Sequence, residues 1–186
     1  MIDNMKKALS NFTEVDSRDQ HKWQRVVRDA YESLGYTFLG AGKYAVVFSI
    51  YCKGMKKEIV VKVFMRDAAY FKWLEFAMNN QNNPYVPEIY GKVQKLTDLF
   101  YQIEMEKLSP ANSSSVVSLY SDLDSSAPYA AEISEEFDAN QNLLDLHSEN
   151  VMMRGSQVVV IDPYYNWFKR GSYTIDPNQI NEDLFY

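Results

Sequence analysis

The chain has 186 residues, a formal charge of −6, and 46% hydrophobic and 15% aromatic residues. That composition supports a packed core rather than an extensively disordered chain, and with no lysine or arginine run it argues against direct binding of DNA or RNA. The single cysteine, Cys52, excludes an intramolecular disulfide and fits a reducing cytoplasm; with only two histidines beside it, a structural zinc site is not expected. The first residues lack the apolar core and small-residue cleavage site of a signal peptide, and no apolar run is long enough to span a bilayer. The expectation is a soluble cytoplasmic protein that does not engage a membrane.

Residues 17–34 place Trp23, Val26, Val27, Ala30, Tyr31 and Leu34 at three- and four-residue steps, the pattern of an amphipathic helix. Ser17 with Gln20 three residues on resembles a capping box, and Gly35 supplies a stop. From Thr37 the period shortens. Tyr44–Cys52 and Glu58–Phe64 are rich in β-branched and aromatic residues and flank Lys53-Gly54, which reads as two strands and a hairpin turn. Residues 67–80 return to helical spacing, with Phe71, Leu74 and Met78 on one stripe, and the Asn- and Pro-rich segment Asn79–Pro87 reads as loop.

Ile89–Val93 and Leu99–Met105 are expected to form a second strand pair. Ser109–Ser126 is serine-rich and reads as a loop or weak helix. Residues 128–142 are expected to be helical on Ala130, Ile133 and Phe137, and Met152–Ile161 to be a hairpin turning at Arg154-Gly155. A short helix capped by Asp176, with Pro177 in its first position, follows near the end. The fold class is therefore α+β, an antiparallel sheet with helices packed on it. The serine-rich stretch suggests a division into 1–108 and 109–186.

Three segments carry residues suited to chemistry. In Gly40-Ala41-Gly42-Lys43-Tyr44-Ala45-Val46-Val47, two glycines on a strand–turn–strand let backbone amides approach a polyphosphate. Tyr44 can fold over the phosphates and Val47 can cap a base, although a tight hairpin uses glycines in the same way. Lys62 is a charge inside the apolar run Ile59–Phe64. Buried, its ammonium needs an anion, either phosphate or a carboxylate such as Glu75; the other reading is an edge-strand lysine reaching solvent. The third segment is Leu143-Leu144-Asp145-Leu146-His147-Ser148-Glu149-Asn150, followed by Val158–Ile161 and Asp162-Pro163. An Asp and an Asn five apart in a turn can serve as base and magnesium ligand, and an Asp at the end of the next hairpin adds a second ligand, although turns favour both residue types. Ile175-Asp176-Pro177 repeats the Ile161-Asp162-Pro163 triplet, but a helix cap explains it.

In this order the segments resemble the protein-kinase-like superfamily. Gly40–Val47 resembles the glycine-rich loop, with Ala45 replacing its third glycine, and Val61-Lys62 the third-strand lysine. Asp145–Asn150 is similar to the D-x-x-x-x-N part of the catalytic loop, and Asp162-Pro163 stands where kinases carry D-F-G. Tyr101–Leu108 resembles the strand into the hinge, which makes Met105 the gatekeeper and gives adenine the backbones of Glu106 and Leu108. The D-x-H-S-x-N loop with a D-P pair is similar to aminoglycoside-phosphotransferase-like kinases and to the early serine/threonine kinases of short-tailed, T-seven-type bacteriophages (autographiviruses).

The resemblance covers about residues 35–180 and implies a minimal two-lobed fold with an antiparallel N-lobe sheet and a reduced C-lobe. It implies an ATP- and magnesium-dependent transferase acting on serine or threonine of host proteins. Asp145 would then orient the acceptor, Asn150 and Asp162 would hold magnesium, and Lys62, partnered by Glu75, would contact the α/β-phosphates. His147 stands where protein kinases place a lysine on the γ-phosphate, and either donates to phosphate or hydrogen-bonds its own loop. Leu143-Leu144 replaces the His-Arg pair, A-P-E is missing, and 24 residues follow Asp162. Two further readings follow from those departures: a kinase-like binding module that inhibits a host protein by contact, and a small-molecule phosphotransferase.

Overall fold

Period-two and period-3.6 stretches of the sequence become strands and helices in a computed structural model that describes residues 2–10, 20–125, 129–139, 144–164 and 184–185. The expected Ser17 cap, Leu143 and the short helix at Asp176-Pro177 lie outside the described residues. The result is a mixed α+β protein whose strands all pair antiparallel. Two compact units divide the chain. One takes Met1–Arg66, Ile89–Lys107 and Glu182–Tyr186, the other Asp67–Glu88 and Leu108–Asn181.

The first unit begins with helices α1 (Ile2–Leu9) and α2 (Gln20–Ser33), and its sheet comprises β1 (Thr37–Ala41), β2 (Ala45–Cys52), β3 (Lys57–Met65), β4 (Gln94–Lys95) and β5 (Phe100–Glu106), in the order β1-β2-β3-β5-β4. Trp23, Val27 and Tyr31 recur at helical spacing on α2 and are buried against Val46, Phe48, Val61, Val63 and Phe100, one alternate face of the sheet. The Tyr31 and Phe48 rings stack at 4.6 Å. Gly35 ends α2 with φ +87°, a left-handed stop that lets the Tyr36 amide reach the Tyr31 carbonyl at 3.1 Å. The expected hairpin forms, but the left-handed residue of its turn is Lys56 (φ 53°) rather than Gly54.

The strand expected at Ile89–Val93 does not form. Only Ile89 bridges to Met105; Gly91 then turns with φ +83°, and the strand that pairs with β5 is Gln94–Lys95. The Val93 amide donates instead to the Leu184 carbonyl at 3.0 Å.

A polar chain crosses this core: the Tyr31 hydroxyl donates to Gln102 Oε1, and Gln102 Nε2 donates to Gln94 Oε1 at 2.8 Å. Nearby Glu104 is desolvated, and burial holds its carboxyl above the ordinary range. The folded protein therefore keeps this proton to higher pH than the unfolded chain, and stability falls as pH rises from the ordinary carboxylate value through the folded one. Glu104→Gln removes that fall and is the more stable protein at neutral pH, as urea unfolding of both proteins on either side of the transition will measure.

The second unit holds α3 (Ala68–Asn79), α4 (Ser113–Leu123), α5 (Ala130–Ala139) and the three-stranded sheet β6 (Ser109–Pro110), β7 (Val151–Arg154) and β8 (Gln157–Val160). Asp67 caps α3 by accepting from the amides of Ala69 and Tyr70. The serine-rich stretch is a helix, not a loop. Asn112 caps it by accepting from the Ser115 amide at 3.0 Å, and Ser115 Oγ accepts from the Asn112 amide in return. Leu119 then buries completely. Trp73 of α3, also fully buried, packs beside Phe76, Phe137 of α5 and Tyr164.

Candidate functional site

In the first unit, the register of the sheet aligns three of the singled-out residues. Gly40 pairs with Val47, Val47 with Lys62, and Lys62 with Ile103, so the four form one cross-strand row. The row lies on the face opposite α2, because Val46, Phe48, Val61 and Val63 face that helix and alternate with it. A bulge between Phe38 and Gly40 sets this register: without the extra residue, Leu39 would stand opposite Val47. Lys62 is only 9% exposed, which excludes the edge-strand reading, since β3 is flanked by β2 and β5.

The Gly40–Tyr44 loop is tied down from below. Gln24 and Gln20 of α2 donate side-chain amides to the Gly42 carbonyl at 2.5 and 3.4 Å. The Gly42 amide is used by the Ala45 carbonyl at 3.0 Å, while the Lys43 and Tyr44 amides donate to no backbone carbonyl among the described residues. Those two amides are the ones left for an anion, and Lys43 Nζ lies 5.2 Å from the centre of the Tyr44 ring. Neither Gly40 nor Gly42 has a positive φ, and a Cβ at either, Ala41 lying between them, would meet nothing within 4 Å. The fold does not require these glycines. Gly42→Ala should therefore leave stability within about 0.5 kcal/mol. If the loop cradles a nucleotide, the same change weakens ATP binding about tenfold by calorimetry, since the added methyl occupies space the ligand needs.

On β5, Met105 is buried opposite Val60, and Glu106 stands opposite Ile59. Leu108 is half-buried and is the first residue of its segment in the second unit; Glu75, also half-buried, lies on α3 there.

The second unit brings Asp145, His147, Asn150 and Asp162 together. Asn150 Nδ2 donates to the Asp145 carbonyl at 2.6 Å, and the Asn150 amide donates to the His147 carbonyl at 2.9 Å. The Asn150 carbonyl accepts from the amides of Ile161 and Asp162 at 3.0 and 3.4 Å, and the Asp145 amide donates to the Pro163 carbonyl at 2.7 Å. The loop is thus laced to the end of the β7–β8 hairpin by main-chain bonds at both its Asp and its Asn. Because a carbonyl can only accept, the 2.6 Å contact fixes the Asn150 amide and leaves Oδ1 without a hydrogen bond among the described residues.

His147 hydrogen-bonds its own loop, one of its two expected roles: the Glu149 amide donates to Nδ1 at 3.2 Å. The other ring nitrogen, Nε2, lies 3.0 Å from Asn150 Nδ2 and 3.7 Å from Asp145 Oδ1. The latter is too long for a hydrogen bond, and the Asp145 carboxylate stays partly exposed.

The residues that hold this constellation carry no local signature. Arg154 donates to the carbonyls of Pro84 and Val86 at 3.1 and 2.9 Å, and the Tyr85 carbonyl accepts from the Val160 amide at 2.8 Å, which fixes the hairpin to the 84–86 segment. Asn83, nearly fully buried, donates to the Tyr129 carbonyl and to Glu132, and accepts from the Tyr85 amide. Tyr164 bridges to Leu144, donates its hydroxyl to Glu136 at 2.5 Å and sets its ring edge-on to Trp73.

Magnesium takes hard oxygen donors and keeps several waters, so one or two protein oxygens suffice. Asn150 Oδ1 and the Asp162 carboxylate are donors of that kind. Among the described residues no group of three or more His, Cys, Asp or Glu side chains is gathered as a cage, and no helix is long and apolar enough to cross a membrane. No protein-family model matches the chain, and no curated protein matches it.

Proposed function

We propose that this chain is an ATP- and magnesium-dependent phosphotransferase of minimal, two-lobed kinase-like design, acting on serine or threonine hydroxyls of host proteins. The observation that carries the reading is the lacing of Asp145, Asn150 and Asp162 into one place, with a free carboxylate on the first and a free amide oxygen on the second. Phosphoryl transfer asks little else of a protein than positioned oxygens for the metal, positive charge for the phosphates and a carboxylate at the acceptor. The cross-strand row of Gly40, Val47 and the buried Lys62 supports the nucleotide half.

In this reading Asp145 orients the acceptor hydroxyl and takes its proton, while His147, fixed by the Glu149 amide, keeps the loop in shape. Lys62 contacts the α/β-phosphates. The Lys43 and Tyr44 amides face the phosphates, and Met105 and Glu106 line the adenine side. Asn150 and Asp162 would hold magnesium, which when bound neutralises charge on the phosphates.

The test is ligand-dependent stability. ATP with magnesium should raise the melting temperature of the wild type, and magnesium removal by chelation should cancel most of that rise. Asp162→Ala should lose the magnesium-dependent part and Lys62→Ala most of the nucleotide response. A wild type indifferent to ATP with or without magnesium would sink the proposal.

A further inference from the structure

Six large hydrophobic side chains are exposed among the described residues, and four of them form two pairs set in opposite charge. In the first unit, Tyr51 (60% exposed) and Met55 (39%) stand at the tip of the β2–β3 hairpin. Lys53, Lys56 and Lys57 surround them in sequence, all exposed, and Lys53 and Lys56 make no ion pair among the described residues. In the second unit, Val117 (69%) and Tyr120 (48%) are one turn apart on the outer side of α4, whose Ser115 and Leu119 face inward. Carboxylates follow them: exposed Asp124 after the helix, then exposed Glu132, Glu135 and Asp138 on α5.

The opposition extends to the whole units. The first holds 15 Lys/Arg against 12 Asp/Glu, the second 4 against 13. Exposed Glu58, opposite Tyr51, is paired with Lys107 at 2.7 Å, so each patch presents two large apolar side chains in surroundings of one net sign, which is how charge complementarity selects a partner while apolar contact holds it. Within the turn Lys56, a non-glycine residue, adopts the left-handed φ of 53°.

We propose that the protein self-associates head to tail, the lysine-framed hairpin tip of one copy docking on the acid-framed outer face of α4 and α5 of the next. A second copy is the occupant favoured by these observations because the chain itself carries both halves of the match. The contact is heterologous, since it joins two different patches. Association is strongest at low ionic strength and fades as salt screens the charges. The inference is independent of the phosphotransfer reading, and none of its residues belongs to the proposed site.

Sedimentation equilibrium with a charge swap tests it. The wild type should show an average mass that rises with concentration at low salt and falls toward the monomer at high salt. Lys53→Glu/Lys56→Glu and Asp124→Lys/Glu135→Lys should each weaken self-association at least about tenfold, because each sets like charge against like. Circular dichroism checks that both fold. Mixed in equal amounts, the two variants should associate again, since each supplies the patch the other lacks. A wild type that stays monomeric at low salt would overturn the proposal, including the case in which either patch binds some other protein. So would variants that associate as the wild type does, or a mixture that stays monomeric.

Discussion

Asp145→Asn should lower the rate of phosphate transfer by about 10²–10⁴-fold while leaving nucleotide affinity and melting temperature close to those of the wild type. The split follows from which atoms of Asp145 the fold uses. Its amide and carbonyl are engaged, by Pro163 and Asn150, whereas its carboxylate makes no hydrogen bond among the described residues and has His147 Nε2 at 3.7 Å. An amide in place of the carboxylate keeps the main-chain bonds and the side-chain volume, and loses only the ability to take a proton. Transfer kinetics beside calorimetric ATP binding on the same preparations check both halves. Equal loss of binding and turnover would mean that Asp145 serves the nucleotide rather than the acceptor.

The second large effect is on stability. Trp73→Ala should cost about 3–5 kcal/mol, because the indole is fully buried and meets Phe76, Phe137 and Tyr164. Its Nε1–H has no hydrogen-bond partner among the described residues, so Trp73→Phe removes none of their bonds and should cost clearly less than the alanine change. Tyr164 couples this core to the loop, since it bridges to Leu144 next to Asp145. The alanine variant should accordingly loosen the loop before the unit unfolds. Hydrogen exchange at the Asp145 and Asn150 amides should rise more in Trp73→Ala than in Trp73→Phe, with denaturant unfolding giving the stability difference.

Much of the fold was legible wherever one face of an element is buried over several periods. Trp23, Val27 and Tyr31 mark α2, and Val46, Phe48, Val61 and Val63 mark two strands. The misread strand, and the stretch left open between loop and helix, fall where burial is brief. β4 is two polar residues long and offers no alternation to detect, and the apolar Ile89–Val93 segment that attracted the strand assignment is turned out of register at Gly91. α4 begins with three serines, residues that favour turns as readily as caps. What decides for helix is the reciprocal bond between Asn112 and Ser115, visible in sequence only as two cap-forming residues three apart.

The candidate site divides the same way. Asp145, His147 and Asn150 are close in sequence, so one turn suffices to gather them, and a single hairpin brings Asp162 back. Gly40, Val47 and Lys62 needed the register of three strands, which hinged on a bulge that no sequence pattern announced. Arg154, Asn83 and Tyr164 act through bonds to distant main chain or across helices, and nothing local distinguishes them from ordinary surface and turn residues.

The proposed reaction is transfer of the γ-phosphate of ATP to protein hydroxyls. The most direct measurement is incubation of γ-labelled ATP and magnesium with bacterial lysate and the wild type, beside Lys62→Ala and Asp162→Ala. Acid-stable label should appear on serine or threonine of lysate proteins with the wild type and fall to background with either variant and on chelation of magnesium. Label that persists undiminished in both variants, or a wild type that transfers none, would contradict it.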